Sequence, residues 1–425
     1  KKVADKLNMN LDAEMVYLED LLPKATMGDK AFAALLTYAM PSAMTERMLG
    51  LHKIQPDDPL TIIFTSGSTG EPKGVVLTYA NIGSNIAAMD QMVDLRSTDV
   101  VLGVLPFFHS FGLTGNLWCT LALDPMGVFH FSPLDARQIG KLCEKHKGSI
   151  LMATPTFLRS YLRRCTPEQF KSLELIITGA EKLPAELIKA FQEKFGSRPY
   201  EAYGTTELSP LVSVNLPDAR ALGNVQKCSK DGTVGRPVVG TVAKVVHLED
   251  GTDLGVDESG MLLIKGPNVM KGYLGRPELT AEKIQDGWYV TGDVAQIDEE
   301  GFITITGRIS RFSKIGGEMV PHIMVEEMIG EILGNEEELL AAVAAVPDEK
   351  KGERLIVLHR KIDKTPEEIR KGLSEAGLAN LWIPSVDSFV EIEEIPILGS
   401  GKLALGELKE IALERFGQPA AQAGE

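Results

Sequence analysis

The segment TSGSTGEPKG, residues 65–74, combines hydroxyl side chains, glycines and one lysine in a way that can hold phosphate. Main-chain amides of a glycine-rich loop can surround an anion, and hydroxyls and an ammonium group add further donors. The residues that would take these roles are Thr65, Ser66, Gly67, Ser68, Thr69, Gly70 and Lys73. The Walker A spacing fails, because Pro72 replaces its second glycine and Gly74 its metal-binding hydroxyl. The segment is therefore either a phosphate loop of another kind or an ordinary glycine-serine turn.

The motif YGTTE, residues 203–207, ends a predicted strand with residue types that suit a nucleotide. The ring of Tyr203 can stack on a purine, a threonine hydroxyl can bond a phosphate oxygen, and the Glu207 carboxylate can hold Mg²⁺ between phosphates. The alternative interpretation is a polar strand exit that binds nothing.

Two later motifs add a ribose acceptor and a second lysine. In GWYVTGD, Asp293 is placed to accept hydrogen bonds from two ribose hydroxyls, and Arg308 follows fifteen residues later. In LGSGK, residues 398–402, a glycine-rich turn presents Lys402 near the carboxyl terminus. Each motif alone is weak evidence, and Lys402 alone would more often be a solvated surface lysine.

The elements that must position these residues alternate between strand and helix from residue 60 to residue 207. Short apolar runs at 60–65, 100–106, 149–154, 173–181 and 200–207 predict buried strands, and amphipathic stretches at 81–93, 156–164 and 184–196 predict helices. This pattern predicts an α/β fold whose parallel sheet is flanked by helices and binds ligands at the carboxyl ends of its strands. The loop at 65–74 is expected to lead from the first strand into the helix near Asn81.

Two changes of pattern divide the rest of the chain. Past residue 230, short strands broken by glycines predict a β-rich subdomain attached to the large domain, and beyond Arg308 mixed helices and strands predict a small α+β domain. We therefore predict a large domain at 1–308 and a small carboxyl-terminal domain at 309–425.

The composition excludes several classes of protein. The chain has 425 residues, 44% hydrophobic and 24% charged, which is typical of a soluble globular enzyme with two or three domains. Its net charge of −15 argues against broad contact with nucleic acid, which needs clustered cations. No apolar run is long enough to span a membrane and no signal peptide is visible, so we expect a cytoplasmic protein whose four scattered cysteines are thiols.

In this order and spacing, the motifs resemble those of the adenylate-forming superfamily of acyl-CoA synthetases, luciferases and peptide-synthetase adenylation domains. The resemblance covers residues 60–405. It implies that ATP and Mg²⁺ are used to convert a carboxylate into an acyl-adenylate with release of pyrophosphate, while the segment at 65–74 holds the β- and γ-phosphates. An ordinary P-loop ATPase, which would release ADP and phosphate, is disfavoured.

The resemblance also implies individual roles. Thr206 would contact the α-phosphate and Glu207 the Mg²⁺, while Lys402 would bridge the substrate carboxylate and the α-phosphate as the pentacoordinate phosphorus forms. Tyr203 would face the adenine, and Asp293 and Arg308 would bind the ribose. The remaining nucleotide-site residues are Gly179, Ala180, Glu181, Gly204 and Thr205.

Members of this superfamily use a second conformation, in which the small domain swings about a hinge so that a phosphopantetheine thiol reaches the adenylate. The hinge position, usually Asp or Lys, is Arg311 here. In KIGGE, residues 314–318, Gly316 and Gly317 would then line the thiol tunnel and permit close approach of the backbone. The alternative for this segment is a plain β-turn.

The segment FFHSFG, residues 107–112, corresponds to the part of the superfamily near the acyl pocket. Members that activate amino acids carry an aspartate there, whereas this chain has His109 between aromatic residues, with Phe111 and Gly112 beside it. A substrate ammonium would lack its counter-ion and would be costly to desolvate, so an apolar carboxylic acid is favoured. His109 either gates this pocket or is a satisfied structural histidine.

The finer resemblance is to the synthetase half of bacterial acyl-acyl-carrier-protein synthetase/2-acylglycerophosphoethanolamine acyltransferases, carried by FFHSFGLT, GAEKL, KIGGEMV and LGSGK. This implies a long-chain fatty acid as substrate and acyl carrier protein as acceptor, with membrane association only through an upstream acyltransferase. The chain opens with Lys1, and only about 60 residues precede the loop at 65–74. We therefore expect a fragment of a longer protein that lacks part of the amino-terminal subdomain.

The acceptor remains open between acyl carrier protein and CoA. An acidic carrier protein would need a basic patch, for which the candidates are the groups Arg159, Arg163, Arg164 and Lys350, Lys351, Arg354. Either group is more often a solvated face. Two other interpretations of the whole chain are a long-chain acyl-CoA synthetase and a non-catalytic nucleotide-binding module of a larger fusion protein.

Overall fold

The structure, a computed structural model, describes residues 18–66, 72–222, 227–334, 339–348, 350–397 and 403–416. The chain divides into two compact units, Lys1–Asp58 and Pro59–Glu425. The boundary at Asp58 is not one that the sequence pattern predicted, and the division predicted at residue 308 stays a prediction. No helix in the described part of the chain has the length and apolar character needed to cross a bilayer.

The first unit is helical in its described part. Its helices are α1 (Leu18–Leu21), α2 (Met27–Tyr38) and α3 (Ser42–Met48), with 3-10 turns at Leu22–Lys24 and Leu51–Lys53. Helix α2 begins at a capping box, in which the Thr26 hydroxyl accepts the Asp29 amide at 3.2 Å and Asp29 accepts the Thr26 amide at 2.7 Å. None of the residues of α2 or α3 is buried.

The second unit holds all the strands of the described chain. They are β1 (Pro59–Ser66), β2 (Pro72–Thr78), β3 (Val100–Gly103), β4 (Met126–Phe129), β5 (Ile150–Ala153), β6 (Leu175–Thr178), β7 (Pro199–Gly204), β8 (Leu211–Val214), β9 (Arg236–Pro237), β10 (Val242–Val246), β11 (Gly260–Lys265), β12 (Gly272–Tyr273), β13 (Ile284–Gln285), β14 (Trp288–Ile297), β15 (Ile303–Arg308), β16 (Phe312–Ile315), β17 (Glu318–Pro321), β18 (Ala341–Asp348), β19 (Gly352–His359) and β20 (Phe389–Glu391).

The helices of this unit lie between the strands in sequence. They are α4 (Tyr79–Met92), α5 (Cys119–Ala122), α6 (Ala136–His146), α7 (Pro155–Arg164), α8 (Pro167–Phe170), α9 (Ala185–Phe195), α10 (Pro277–Lys283), α11 (His322–Leu333), α12 (Pro366–Glu375) and α13 (Leu405–Phe416), with a π-helical turn at Gly112–Trp118. The 3-10 turns are Thr206–Leu208, Asp218–Arg220, Ile309–Arg311 and Val386–Ser388.

The central sheet has seven strands in the order β4-β3-β5-β6-β7-β8-β9. The first five strands in this order, β4, β3, β5, β6 and β7, are parallel to one another. Strands β8 and β9 extend the sheet through antiparallel pairing. Every residue of β3, β5 and β6 is buried, which is why these strands read as continuous apolar runs. Helices α6 to α9 contribute residues such as Tyr161, Phe170 and Phe191 to one core cluster with these strands. The predicted α/β fold with a helix-flanked parallel sheet is confirmed.

The first predicted strand, at 60–65, is wrongly placed in that sheet. It forms β1, which pairs antiparallel with β2 in a separate three-stranded sheet of order β1-β2-β12. The loop follows a strand and precedes α4 in the chain, as expected, but strand β2, which was not predicted, lies between the loop and this helix. The first turn of α4 is already capped, since Thr78 accepts the Asn81 amide at 3.2 Å and donates its own amide to Asn81 at 2.9 Å.

Two smaller sheets follow, as the sequence predicted. The β-rich region forms an antiparallel sheet of order β10-β11-β14-β13, with β15 paired to β14. The carboxyl-terminal region forms a sheet of order β17-β16-β19-β18, with β20 parallel to β19 and with α11, α12 and α13 packed on it. The four cysteines are free thiols, three of them buried.

Candidate nucleotide-binding site

The pairing of β14 with β15 brings Asp293 and Arg308 together. The two residues are direct partners in the antiparallel register, and the Arg308 Nε lies 3.2 Å from Asp293 Oδ1. The Tyr203 hydroxyl, at the end of β7, donates to Asp293 Oδ2 at 2.5 Å. The structure thus joins three of the predicted site residues in one cluster, although the bond from Tyr203 to Asp293 was not predicted.

The charge state of this cluster follows from its burial. Asp293 is 7% exposed. Burial raises the pKa of Tyr203 well above its usual value, and the neighbouring Asp293 carboxylate raises it further, so the phenol stays a neutral donor. Attraction to the Asp293 carboxylate raises the pKa of Arg308. The result is an ionic pair whose carboxylate has remaining lone pairs for further donors.

A second cluster forms around Tyr273, which the sequence analysis missed. The Tyr273 hydroxyl donates to Glu207 Oε1 at 2.9 Å, and the Lys73 Nζ lies 5.9 Å from the centre of the Tyr273 ring, within reach of a cation–π interaction. Tyr273 stands in β12, whose pairing with β2 places it beside the strand that carries Lys73. In the sequence, Tyr273 stands only in the short segment KGYLG, and a tyrosine near two glycines is too weak a signal to identify a site residue.

Gly179, Ala180 and Glu181 follow β6 directly, at the carboxyl edge of the parallel sheet. Ala180 has a φ of 72°, a left-handed conformation that costs energy for a residue with a side chain and must be held by its surroundings. Glu181 accepts the amide and the hydroxyl of Thr156, at the start of α7, at 3.1 and 2.7 Å. The Leu183 amide donates to the Glu201 carboxylate at 3.2 Å. These bonds hold the carboxyl-terminal side of the segment, and β6 precedes its other end.

The segment at 107–112 lies beside YGTTE, a contact that the sequence analysis did not predict. The Ser110 hydroxyl is 3.3 Å from the Thr206 hydroxyl, and a side chain at Gly179 would touch the Phe111 ring at 3.4 Å. Gly112 is required, because an added Cβ would lie 2.2 Å from the Pro106 carbonyl oxygen. The ring of His109 lies against Phe108, with 4.5 Å between the ring centres.

Thr205 has a polar group in this region that is suited to contact a ligand. Its hydroxyl is buried and has no hydrogen-bond partner within the described structure. A buried hydroxyl without a partner is rare and costly in a native protein. A phosphate oxygen at this strand end would satisfy it, so the residues present fit a nucleotide.

The described residues contain no cluster of three or more histidine, cysteine, aspartate or glutamate side chains that would hold a metal by themselves. Glu207 is a single carboxylate, the usual number of protein ligands when phosphate oxygens and water complete the shell of Mg²⁺. A magnesium ion at Glu207 would therefore depend on a bound nucleotide.

Five of the predicted residues, Gly67, Ser68, Thr69, Gly70 and Lys402, lie outside the described residues. The backbone of Ser66 is described as the end of β1, and Thr65 pairs with Lys73 across the β1–β2 ladder. On the carboxyl-terminal side, Ile397 and Leu403 form an antiparallel bridge.

The hinge candidate Arg311 is 5% exposed and forms a close ion pair with Glu326 of α11. Glu326 also accepts the Val343 amide at 2.5 Å. Gly316 and Gly317 form the turn between β16 and β17, with φ of 59° and 93°, so both stand in the left-handed region that favours glycine. The local geometry is that of a β-turn, and its part in a thiol tunnel stays a prediction.

The two predicted basic groups differ. Arg159, Arg163 and Arg164 lie on α7, the last two exposed. In the second group, Arg354 is engaged, since it pairs with Asp387 at 3.2 Å and lies over the Phe416 ring at 4.7 Å.

Comparisons with known proteins identify the family of this chain. Residues 6–274 match the family model described as AMP-binding enzyme. The chain is 32% identical to the long-chain-fatty-acid–CoA ligase of Bacillus subtilis (strain 168) over 372 residues, which are 85% of this chain and 64% of that protein. It is 31% identical to the 2-succinylbenzoate–CoA ligase of Bacillus cereus (strain ATCC 10987), over 84% of this chain and 71% of that protein.

Solved structures show the same likeness. ATP-bound MatB from Rhodopseudomonas palustris superposes with a TM-score of 0.72 at 28% identity, covering 84% of this chain and 69% of that one. The o-succinylbenzoate CoA synthetase of Bacillus subtilis in complex with ATP and magnesium gives 0.69 at 27% identity, covering 84% and 70%. The chain thus spans about two thirds of the length of these relatives, and it belongs to the family of AMP-binding enzymes.

Proposed function

We propose that the protein activates a carboxylic acid with ATP and transfers the acyl group to a thiol. In the first step a carboxylate oxygen attacks the α-phosphorus, the bond from phosphorus to the bridging oxygen of the β-phosphate breaks, and pyrophosphate leaves. In the second step a thiol sulfur attacks the acyl carbon, its proton is released, and AMP leaves. The observation that carries this proposal is the joining of Tyr203, Asp293 and Arg308 at the carboxyl edge of the sheet.

The site residues have roles that suit these steps. Asp293 and Arg308 would hold the ribose, Thr205 and Thr206 would donate to phosphate oxygens, and Glu207 would hold Mg²⁺, whose charge offsets that of the phosphates. Lys402 would neutralise the charge that builds on the reacting carboxylate and α-phosphate. Two solved structures of the Bacillus subtilis o-succinylbenzoate CoA synthetase support this proposal, since one is a complex with ATP and magnesium and the other a complex with an acyl-adenylate intermediate.

A long-chain fatty acid is the substrate that we propose. The Bacillus subtilis relative is a ligase for such acids. The FFHSFG segment carries no aspartate that would pair with a substrate ammonium, which favours an apolar acid. Aromatic acids are the second candidates, because other relatives act on 2-succinylbenzoate and form feruloyl-CoA.

For the acceptor, we propose the thiol of a phosphopantetheine arm, on acyl carrier protein or on CoA. The finer resemblance of the sequence favours the carrier protein, whereas the relatives named above are CoA ligases. Thioester formation with holo-carrier protein and with CoA at matched concentrations decides between them. Exclusive use of CoA would reject the carrier protein.

Product analysis tests the reaction itself. With ATP, Mg²⁺ and a panel of acids from acetate to palmitate, we expect AMP and pyrophosphate, with the highest rates for the longer chains. Release of ADP and phosphate would indicate an ordinary ATPase. If no acid of the panel, and no aromatic acid, yields AMP or pyrophosphate, the chain is a non-catalytic nucleotide-binding module.

Replacing Asp293 with asparagine is expected to raise the KM for ATP in acid-dependent ATP–pyrophosphate exchange by about 10- to 100-fold. The reason is that a hydrogen bond to a charged group contributes about 1.5–3 kcal/mol. The asparagine lacks the negative charge of the carboxylate that pairs with Arg308 and would accept hydrogen bonds from the ribose. Tyr203→Phe removes only one neutral donor and should raise this KM by less than about tenfold. If the KM for ATP is unchanged in Asp293→Asn, Asp293 does not bind the ribose.

A further inference from the structure

Tyr273 is held in a fixed position by the strand in which it lies. Its strand, β12, pairs with β2, and Tyr273 stands directly opposite Val75. The Tyr273 amide donates to the Thr280 hydroxyl at 2.9 Å, and the next amide, that of Leu274, donates to the Gly74 carbonyl at 2.8 Å. The residue is only 6% exposed. Its hydroxyl therefore points in one direction that the backbone and the core define.

The segment that contains Tyr273 holds Glu207 at two points. The Met270 amide donates to the main-chain carbonyl of Glu207 at 2.8 Å, and the Tyr273 hydroxyl donates to the carboxylate oxygen Oε1 at 2.9 Å. Glu207 itself lies in the 3-10 turn Thr206–Leu208, just beyond the end of β7. Both the backbone and the carboxylate of Glu207 are thus bonded to residues 270–273.

The bond to the carboxylate restricts a side chain that is otherwise adaptable. A glutamate rotates about three side-chain bonds, and the last of these torsions has only a broad preference. A fixed donor on one oxygen selects one orientation, and the carboxylate keeps lone pairs for a cation. The Tyr273 hydroxyl is well suited to this task, because a phenol is a neutral donor near pH 7.

The ring of Tyr273 faces a second charged residue of the candidate site. The Lys73 Nζ lies 5.9 Å from the ring centre, and Lys73 stands in β2, two positions before the residue that pairs with Tyr273. One side chain therefore contacts both Glu207 and the lysine of the segment at 65–74. The hydroxyl and the ring make these two contacts separately, so they can be separated by substitution.

We propose that Tyr273 is a positioning residue, whose hydroxyl orients the Glu207 carboxylate for the Mg²⁺ ion that accompanies ATP. This inference rests on the proposed function, in which Glu207 binds that ion. A donor behind a metal-binding carboxylate fixes its orientation, and loss of such a donor typically weakens metal binding or activity about 10- to 100-fold. Tyr273 acts through Glu207 alone.

Tyr273→Phe tests this role, because phenylalanine keeps the ring beside Lys73 and removes only the hydroxyl. Isothermal titration calorimetry of the full chain, without an acid substrate, gives the Kd for ATP in EDTA and over a range of free Mg²⁺ concentrations. We expect the Mg²⁺ concentration that gives half of the change in Kd to rise about tenfold or more, while the Kd in EDTA stays unchanged. Acid-dependent ATP–pyrophosphate exchange should fall at low Mg²⁺ and recover at high Mg²⁺.

The matched control is Tyr161→Phe. Tyr161 is fully buried in another core cluster, and its hydroxyl donates to the Pro133 carbonyl at 2.8 Å. This variant also loses a hydrogen bond from a buried phenol, but its response to Mg²⁺ should equal that of the wild type. In Glu207→Gln/Tyr273→Phe, the response should equal that of Glu207→Gln alone, because the hydroxyl has no other route to the metal.

Three results separate the inference from the proposed function. An unchanged response to Mg²⁺ in Tyr273→Phe, or a Kd in EDTA that rises as much as the Kd with Mg²⁺, would overturn the inference while the proposed function stands. A further loss on adding Tyr273→Phe to Glu207→Gln would overturn it as well. If the wild type binds ATP without any response to Mg²⁺ and shows no exchange with any acid, the proposed function itself is rejected.

Discussion

Replacing Lys402 with alanine is expected to lower the rate of acid-dependent ATP–pyrophosphate exchange by a factor of about 10² to 10³ while ATP binding is largely retained. The reason is that Lys402 would act on charge that develops between the carboxylate and the α-phosphate, so its loss removes transition-state rather than ground-state stabilisation. In the proposed function, binding of ATP would rely on other residues, among them Asp293 and Arg308. Exchange kinetics and a direct measurement of the Kd for ATP together check this expectation.

The matched control is Lys409→Ala, an exposed lysine in α13, seven residues downstream. It should leave both the exchange rate and the Kd unchanged. Near-normal exchange in Lys402→Ala would refute the assignment of this lysine. A loss of ATP binding equal to the loss of rate would place Lys402 among the binding residues instead.

Strands β3, β5 and β6 of the central sheet were predictable because every one of their residues is buried. A continuous apolar run such as 149–154 leaves little choice of environment, and its alternation with amphipathic helices implies parallel pairing. The run at 60–65 looks the same in sequence but is half exposed, with Phe64 64% and Ile62 40% exposed. Its partner is β2, and which strands pair depends on contacts that an apolar run does not encode.

The site was predictable where residue types cluster in sequence, and not where they meet through pairing. Tyr203 and Asp293 each belonged to a motif, but their hydrogen bond joins residues 90 positions apart. Tyr273 belonged to no motif and reached Glu207 only because β12 pairs with β2. The burial of Arg311 against Glu326 depends likewise on how α11 packs. Long-range register and helix packing therefore account for what the motifs left out.

Replacing Arg220 with methionine is expected to destabilise the second unit by about 3–5 kcal/mol, because it leaves the buried carboxylate of Asp99 without its counter-ion. The side chains of Arg220 and Asp99 are 2% and 3% exposed, and two bonds of 2.7 and 2.8 Å join them. Arg220 also donates to the Asp94 carbonyl at 2.8 Å. The pair therefore ties the turn Asp218–Arg220 to the chain that enters β3. Urea unfolding of the wild type and the variant measures the difference.

Burial alone would raise the pKa of Asp99, but bonds from Arg220, the Arg96 amide and Ser149 hold it below its usual value. A carboxylate with a lowered pKa contributes stability above its unfolded pKa, and this contribution is lost as pH falls through the folded pKa. In Arg220→Met, burial prevails and raises the pKa of Asp99, so the variant should regain stability relative to the wild type as the solution is acidified. Arg96→Met removes only exposed pairs and should cost less than about 1 kcal/mol. A cost for Arg220→Met as small as that of Arg96→Met, with no dependence on pH, would show that the Asp99 carboxylate does not need this partner.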